Sequence, residues 1–233
     1  MPMGHLIYLE ERRPDRFKTA RPQRPAFFFD VTSPLSYLMA ERVERRLGAV
    51  EWVAADGTML RRIHQAQTRG RGDAREARLA AGQPEGSRRR MRAEASARAL
   101  RLPLVWPDRY PRAAPCAQRA CAFACEIGAG AEFALAASRL AFCGGFDLED
   151  PETLAEAAAA AGVPLEECLA AAGETWRDEE IEATARELHA HGVTELPAIR
   201  VGPHWIQGES GLLSAAALLG RGATLRRSLA PMG

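Results

Sequence analysis

The sequence predicts an α/β fold whose mixed sheet is interrupted by a large all-helical insertion. Three observations support this prediction. Residues 26–53 show a strand–helix–strand pattern, residues 56–184 show helical patterns, and the end of the chain shows a helix, two short strands and a last helix. A helix between two short apolar strands indicates a parallel pair, whereas strands joined by a tight turn are antiparallel. The predicted order is therefore βαβ, then helices, then αββα.

The first strand is the aromatic run at residues 27–31, which is typical of a buried strand. A helix is predicted over residues 34–47, where apolar residues recur at helical spacing. Thr32 or Ser33 can cap this helix, and Pro34 suits its first turn because a backbone N–H has no partner there. Ser33 is therefore expected at the positive end of the helix dipole, where an anion is favoured.

After a second strand at residues 50–53, the pattern becomes helical. The clearest helices are predicted at residues 87–101, 113–128, 131–142 and 151–161, divided by glycines and prolines. Arginines crowd residues 61–101, and carboxylates crowd residues 147–195. We interpret these runs as solvated helical faces of opposite sign, and a basic face near the active site could also attract an anionic substrate.

The end of the chain returns to the sheet. A helix and a loop lead to Leu196 and Pro197, and strands are predicted at residues 198–201 and 204–207 around a Gly-Pro turn. A last helix is expected from about Glu209. The predicted organisation is a flexible N-terminal tail (1–24), a sheet-bearing domain (25–55 and 185–221), an inserted helical domain (56–184) and a C-terminal tail (222–233).

Composition narrows the class of protein. The 233 residues are 47% apolar and 26% charged, as in ordinary globular proteins, and carry a formal net charge of +1. That balance argues against general nucleic-acid binding, and no apolar run is long enough to cross a membrane. The first residues lack the basic-then-apolar order of a signal peptide. We therefore expect a cytoplasmic protein with no nucleic-acid or membrane partner.

The chain has five cysteines, and none forms a CxxC pair. Cys121 and Cys125 lie one helical turn apart, which could suggest a metal or redox cluster. Their spacing fits no zinc or iron–sulfur pattern. We favour the interpretation that the cysteines are small buried hydrophobes in a reducing compartment, and we expect no metal.

The tetrad Ser33-Pro34-Leu35-Ser36 stands where a strand passes into a helix, which is the active-site layout of thioredoxin-fold proteins. Redox-active members have cysteine at both ends of the tetrad. The stretch FFFDVTSPLSYLMAERV resembles the start of the 2-hydroxychromene-2-carboxylate isomerases and kappa-class glutathione transferases, a branch of the DsbA superfamily. The resemblance implies a thioredoxin fold with a helical insertion.

In that branch a Ser-Pro-x-Ser tetrad replaces the cysteines, and its first serine contacts the sulfur of bound glutathione. By position this serine is Ser33. The resemblance also implies a cis bond before Pro197, with the backbone of Leu196 holding the cysteinyl part of glutathione; a trans proline that starts an edge strand is the alternative. Glu209 and Ser210 stand where the family grips the γ-glutamyl end, although the family has Asp at the position of Ser210.

Ser36 and Tyr37 are lesser candidates for the same site, and Tyr37 can instead be a packed core aromatic. The resemblance implies a glutathione-dependent isomerase, in which the thiolate of glutathione, or of another low-molecular-weight thiol, adds to a small aromatic or conjugated carbonyl substrate. Without cysteine in the tetrad, thiol–disulfide exchange by the usual route is not expected. A non-redox thioredoxin-fold binding module, a kappa-like glutathione transferase with a degenerate glutathione site, and a homodimer all stay open.

Overall fold

The computed structural model describes residues 24–70 and 85–228. The predicted N-terminal tail therefore lies outside the described residues, apart from Arg24. The described elements, in chain order, are β1 (Ala26–Phe29), α1 (Pro34–Leu47), β2 (Glu51–Ala54), α2 (Gly57–Gly70), α3 (Glu85–Leu100), α4 (Pro115–Glu126), α5 (Gly130–Phe142), α6 (Pro151–Ala161), α7 (Leu165–Gly173), α8 (Arg177–Ala190), β3 (Ala198–Val201), β4 (His204–Gln207) and α9 (Gly211–Ser228).

The four strands form one mixed sheet in the order β2-β1-β3-β4. β1 and β2 are parallel, with Phe28 opposite Val53. β1 and β3 are antiparallel, with Phe28 opposite Ala198, and the β3–β4 hairpin is also antiparallel. The predicted fold class is confirmed: a βαβ unit at the start, an αββα unit at the end, and helices between them.

β1 is an inner strand of the sheet, and its aromatic side chains are buried on both faces. Phe27 and Phe29 point to the same face, as residues two apart in a strand must, and their rings are 5.6 Å apart. Phe28 points to the other face and contacts Trp205 at 5.2 Å. The first face is covered by α1 and the insertion helices, and the second by α2 and α8.

Helix α1 has the bounds that the sequence predicts because its ends carry strong local signals. Ser33 is its N-cap, with the extended backbone that a cap residue adopts, and Pro34 occupies the first turn. Gly48 follows the last turn at a positive φ of 74°, where a side chain would be strained. Between these ends, Leu38, Met39 and Val43 are buried against the sheet and the insertion.

Two of the predicted domain limits fall inside helices, and the structure contains a helix that the sequence did not predict. The predicted limit at residue 184 falls inside α8, which runs continuously from the insertion into the sheet-bearing part. The predicted C-terminal tail begins inside α9, which continues through the glycines at 220 and 222 to Ser228. Helix α2 occupies part of the segment for which only short pieces were expected, and it packs against α8. No helix among the described residues is both long and apolar enough to cross a membrane.

Candidate active site

Ser33 lies at the N-terminus of α1, where the backbone turns out of β1. Its backbone N–H donates to the carbonyl of Asp30 at 2.9 Å, which closes the turn. Its Oγ accepts from the backbone N–H of Ser36 at 3.4 Å, so the hydroxyl proton is available to another acceptor. The side chain is half-buried. Ser33 therefore offers a hydrogen-bond donor at a helix end that favours negative charge.

A cavity of about 570 Å³ lies in front of this helix end. Its walls come from four parts of the chain: the turn and first residues of α1, the start of α2, the first half of α3, and the loop before α4. Leu196, from the loop before β3, completes it. The cavity thus joins the sheet-bearing part of the chain to the helical insertion.

The Leu196–Pro197 peptide bond is cis, as predicted. The carbonyl of Pro197 accepts from the backbone N–H of Gly208 at 2.8 Å, which holds this loop against the end of β4. Within residues 24–70 and 85–228, the backbone N–H and C=O of Leu196 take part in no hydrogen bond. These two groups can therefore pair with an extended ligand, and the structure brings Ser33 and Leu196 to one cavity.

Ser36 and Tyr37 do not line the cavity. Ser36 is only 1% exposed, and its Oγ accepts from the backbone N–H of Asp30 at 3.1 Å. Tyr37 is also 1% exposed, and its hydroxyl donates to the carbonyl of Pro103 at 3.2 Å. The core alternative for Tyr37 is therefore the one observed, and Ser36 stabilises the turn from inside the protein.

Glu209 and Ser210 lie before α9 and do not line the cavity either. The carboxylate of Glu209 accepts from Arg42 of α1 at 3.4 Å and from the hydroxyl of Ser96 of α3, and its side chain is only 15% exposed. Ser210 is exposed. The carboxylate that was predicted to bind the γ-glutamyl end is therefore already hydrogen-bonded to side chains of α1 and α3.

The arginine-rich segment supplies most of the charge around the cavity. Of the described residues that line it, five carry guanidinium groups and two carry carboxyl groups. The arginines are Arg61, Arg89, Arg90, Arg92 and Arg112, and the acids are Asp30 and Glu195. Arg92 pairs with Glu195 at 3.1 Å, and Arg112 pairs with Asp147. The excess of positive charge favours an anionic ligand.

Asp30 also lines the cavity, although it was not predicted from the sequence as a site residue. It is unusual because it is a buried acidic residue. It follows β1 directly and is only 4% exposed. Burial raises the pKa of its carboxyl group above the ordinary 3.8, and the neighbouring charge of Asp56 adds to the effect. An acidic residue directly after three consecutive phenylalanines was the signal that could have pointed to it.

Tyr110, in the stretch LPLVWPDRYPR, is a second cavity residue that was not predicted from the sequence. It lines the cavity and precedes a second cis proline, Pro111. Burial raises the pKa of its hydroxyl to about 12, and the charge of Asp30 contributes to this rise. Tyr110 therefore stays protonated and can donate a hydrogen bond to an oxygen atom of a ligand.

Two helix N-termini face this region. One is that of α1 at Ser33. The other is that of α2, where Asp56 Oδ1 accepts from the backbone N–H of Thr58 at 2.6 Å and Asp30 Oδ2 accepts from the N–H of Gly57 at 3.1 Å. The first N–H groups of α2 are therefore bound by two carboxylates of the protein, whereas the N-terminus of α1, with its partial positive charge, can stabilise a thiolate or carboxylate of a ligand.

The comparisons with known proteins agree with this architecture. A solved structure of 2-hydroxychromene-2-carboxylate isomerase (HCCA isomerase) superposes with a TM-score of 0.69 at 14% sequence identity, covering 89% of this chain and 99% of that one. A probable DsbA oxidoreductase from Streptomyces coelicolor superposes with a TM-score of 0.60 at 23% identity, covering 85% of this chain and 88% of the other. No protein-family model and no curated sequence matches.

The chain has the DsbA-type thioredoxin fold. At these identities the likeness concerns the fold, and it extends over the helical insertion as well as the sheet. Within this DsbA-type fold, the two ends of the tetrad are the hydroxyl residues Ser33 and Ser36. The five cysteines all lie in the helical insertion or at its helix ends, and none is in a disulfide.

Proposed function

We propose that this protein is a thiol-dependent isomerase resembling HCCA isomerase. It would use glutathione, or another low-molecular-weight thiol, to isomerise a small aromatic or conjugated carbonyl compound. One observation carries the proposal: Ser33 and Leu196 line the same cavity. The first can bind a sulfur atom, and the second can pair with the peptide that bears it.

The chemistry follows from the helix end. The Ser33 hydroxyl donates a hydrogen bond to the thiolate, and the N-terminus of α1 stabilises its charge, so both lower the pKa of the bound thiol. The thiolate adds to the carbon–carbon double bond conjugated with the carbonyl group. A carbon–sulfur bond forms, the former double bond becomes a rotatable single bond, and elimination of the thiolate yields the isomer.

Tyr110 supports the addition step. When the sulfur adds, negative charge moves to the carbonyl oxygen of the substrate. The raised pKa of the Tyr110 hydroxyl, about 12, keeps it protonated, so it can donate a hydrogen bond to that oxygen. The arginines of the cavity favour a ligand that carries a carboxylate, as glutathione does.

A second candidate is a non-redox thioredoxin-fold module that binds an extended peptide without turnover. The observation that favours it lies before the N-terminus of α9, where the carboxylate of Glu209 is already paired with Arg42 and Ser96. A kappa-like glutathione transferase is the third, and it would share the thiolate step but transfer the thiol permanently to an electrophile. The three candidates differ in what happens after the thiol binds.

The test is calorimetric titration of the full chain with glutathione, followed by turnover of 2-hydroxychromene-2-carboxylate with and without the thiol. We expect binding at millimolar glutathione or below, and isomerisation only when thiol is present. S-methylglutathione, which has no ionisable thiol, is the matched ligand and should bind more weakly and support no turnover. Binding without turnover would favour the module, a stable thioether product would favour the transferase, and no binding would reject all glutathione-based proposals.

A further inference from the structure

A thiol that binds as a thiolate must lose a proton, and Ser33 is not suited to take it. A serine hydroxyl is a very weak base at neutral pH, and one acceptor site of Ser33 Oγ is already used by the N–H of Ser36. Among the described residues that line the cavity, two carry carboxyl groups, Asp30 and Glu195. Glu195 is already engaged in an ion pair with Arg92 at 3.1 Å.

The two oxygen atoms of Asp30 are bound differently. Oδ1 accepts three hydrogen bonds, from the backbone N–H of Thr32 at 2.8 Å, the Thr32 hydroxyl at 2.6 Å and Nε2 of Gln118 at 2.7 Å. Among the described residues, Oδ2 accepts only from the N–H of Gly57, at 3.1 Å. Oδ1 is therefore fixed, whereas Oδ2 keeps a lone pair that can accept a proton.

Gly57 shows which way Oδ2 faces. A Cβ atom at this position would lie 3.0 Å from Asp30 Oδ2, 3.2 Å from Nη1 of Arg61 and 3.7 Å from Cδ1 of Leu196. The three side chains thus converge on one point, and all three line the cavity. Oδ2 therefore lies on the side of the carboxyl group that faces Arg61 and the side chain of Leu196, the residue whose backbone would pair with a peptide thiol.

We propose that Oδ2 of Asp30 accepts the proton of the thiol that binds against Ser33, and returns it when the thiol leaves. The S–H bond breaks, both electrons stay on the sulfur, and an O–H bond forms at Oδ2. The total charge of the site does not change. This inference rests on the proposed function and names the base that its first step requires.

Electrostatics favours the transfer. Burial disfavours the charged form of Asp30 and raises its pKa, which brings its base strength closer to that of a thiol. The transferred charge moves to sulfur at the end of α1, where the helix dipole and the Ser33 hydroxyl stabilise it. The titratable groups that influence Asp30, or that its charge influences, are Asp56 from the cap of α2, Tyr110 from the loop before α4 and Cys121 from α4, and the guanidinium of Arg61 lies near the same point beside Gly57 as Oδ2.

The deciding variant is Asp30→Asn, which keeps a carbonyl oxygen for the donors from Thr32 and Gln118 but has no basic oxygen. Asp150→Asn is the matched control, because Asp150 caps α6 away from the cavity and asparagine caps equally well. Gly57→Ala is a second variant, since its Cβ would crowd Oδ2 without removing the carboxyl group. Melting temperature and circular dichroism show whether each variant is folded.

Two measurements are made while glutathione binds at neutral and mildly alkaline pH. Ultraviolet difference absorbance against S-methylglutathione reports thiolate formation. Calorimetry in two buffers of different ionisation enthalpy reports the protons released. In the parent protein and in Asp150→Asn we expect thiolate without a full proton released. In Asp30→Asn and Gly57→Ala we expect thiolate only at higher pH, with one proton released, and kcat/KM lower by about a hundredfold at neutral pH.

The outcomes separate the two proposals. If the parent protein forms thiolate and releases one proton for each thiolate, or if Asp30→Asn behaves as the parent does, Asp30 is not the acceptor, while thiol binding at Ser33 stands. If the parent protein does not bind glutathione at all, the proposed function itself is overturned, and the role of Asp30 with it.

Discussion

The N-termini of α1 and α9 are chemically similar but differ in what fills the space in front of them. Before α1, Ser33 faces a cavity of about 570 Å³. Before α9, the carboxylate of Glu209 is held by Arg42 and by Ser96, and an ion pair between Arg92 and Glu195 lies against Gly208. One helix end is open to a ligand, and the other is occupied by side chains of the protein.

The difference shows what a motif can and cannot predict. Both ends leave backbone N–H groups without helical partners, so both are suited to bind an anion. Which groups fill the space in front of each helix end depends on residues far away in the chain, such as Arg92 and Ser96 of α3. The open end is therefore the one where substitutions should change chemistry, and the closed end is the one where they should change stability.

The largest expected effect is at the open end. Ser33→Ala should lower turnover by about a hundredfold, because removing one donor to a developing or bound anion typically has this effect. Ser210→Ala is the matched control at the closed end, since Ser210 is exposed and does not line the cavity, and it should leave turnover unchanged. Steady-state kinetics with saturating glutathione measures both. Equal turnover in Ser33→Ala and the parent protein would remove Ser33 from the mechanism.

The fold could be predicted where local signals are strong. Ser33-Pro34 and Gly48 define both ends of α1, and the Gly202-Pro203 turn defines β3 and β4, whose bounds match the prediction. The limits at residues 184 and 221 could not be predicted, because a helix that packs against two parts of a protein has no local signal at the domain boundary. α8 packs against α4 of the insertion, and its Leu188 lies in one apolar cluster with Phe28 of the sheet.

The candidate site could be predicted only in part, for a geometrical reason. Ser33 and Leu196 were identified because the resemblance fixes their place in the backbone. Ser36 and Tyr37 follow Ser33 within one helical turn, yet they point into the core, since each residue in a helix turns about 100° from the last. Asp30 is positioned by tertiary contacts with Gly57 of α2 and Gln118 of α4, and Tyr110 by a contact with Phe142 of α5, which sequence spacing does not reveal.

The second effect concerns stability at the closed end. Glu209→Ala should lower the free energy of unfolding by about 1–3 kcal/mol, because it leaves the partly buried guanidinium of Arg42 and the hydroxyl of Ser96 without their acceptor. Glutathione binding should not change, because Glu209 does not line the cavity. Denaturant unfolding and calorimetry measure the two quantities. Lost binding with unchanged stability would show that Glu209 does hold the γ-glutamyl amine.

The smallest expected effect concerns the ion pair between Arg92 and Glu195, which lies against Gly208 before α9. Glu195→Gln removes the charge that pairs with Arg92 at 3.1 Å, while the two side chains are 43% and 42% exposed, so stability should change little. Without the charge of Glu195, the guanidinium of Arg92 is available to pair with a carboxylate of the ligand. Glutathione should therefore bind about three- to tenfold more tightly. Glu182→Gln, which removes an exposed pair with Arg186, is the matched control and should not affect binding.

Weaker binding by Glu195→Gln would have a different meaning. It would indicate that the carboxylate of Glu195 itself accepts from the γ-glutamyl amine. The amine would then lie against the loop before Pro197, because Glu195 lines the cavity and Glu209 does not. In that case the acidic group that the family resemblance places before α9 is supplied in this protein from the other side of Gly208, and the closed end of α9 is no obstacle to glutathione. Calorimetric titration of the parent protein and the two glutamine variants, in the same buffer and at the same salt concentration, separates these two roles of Glu195.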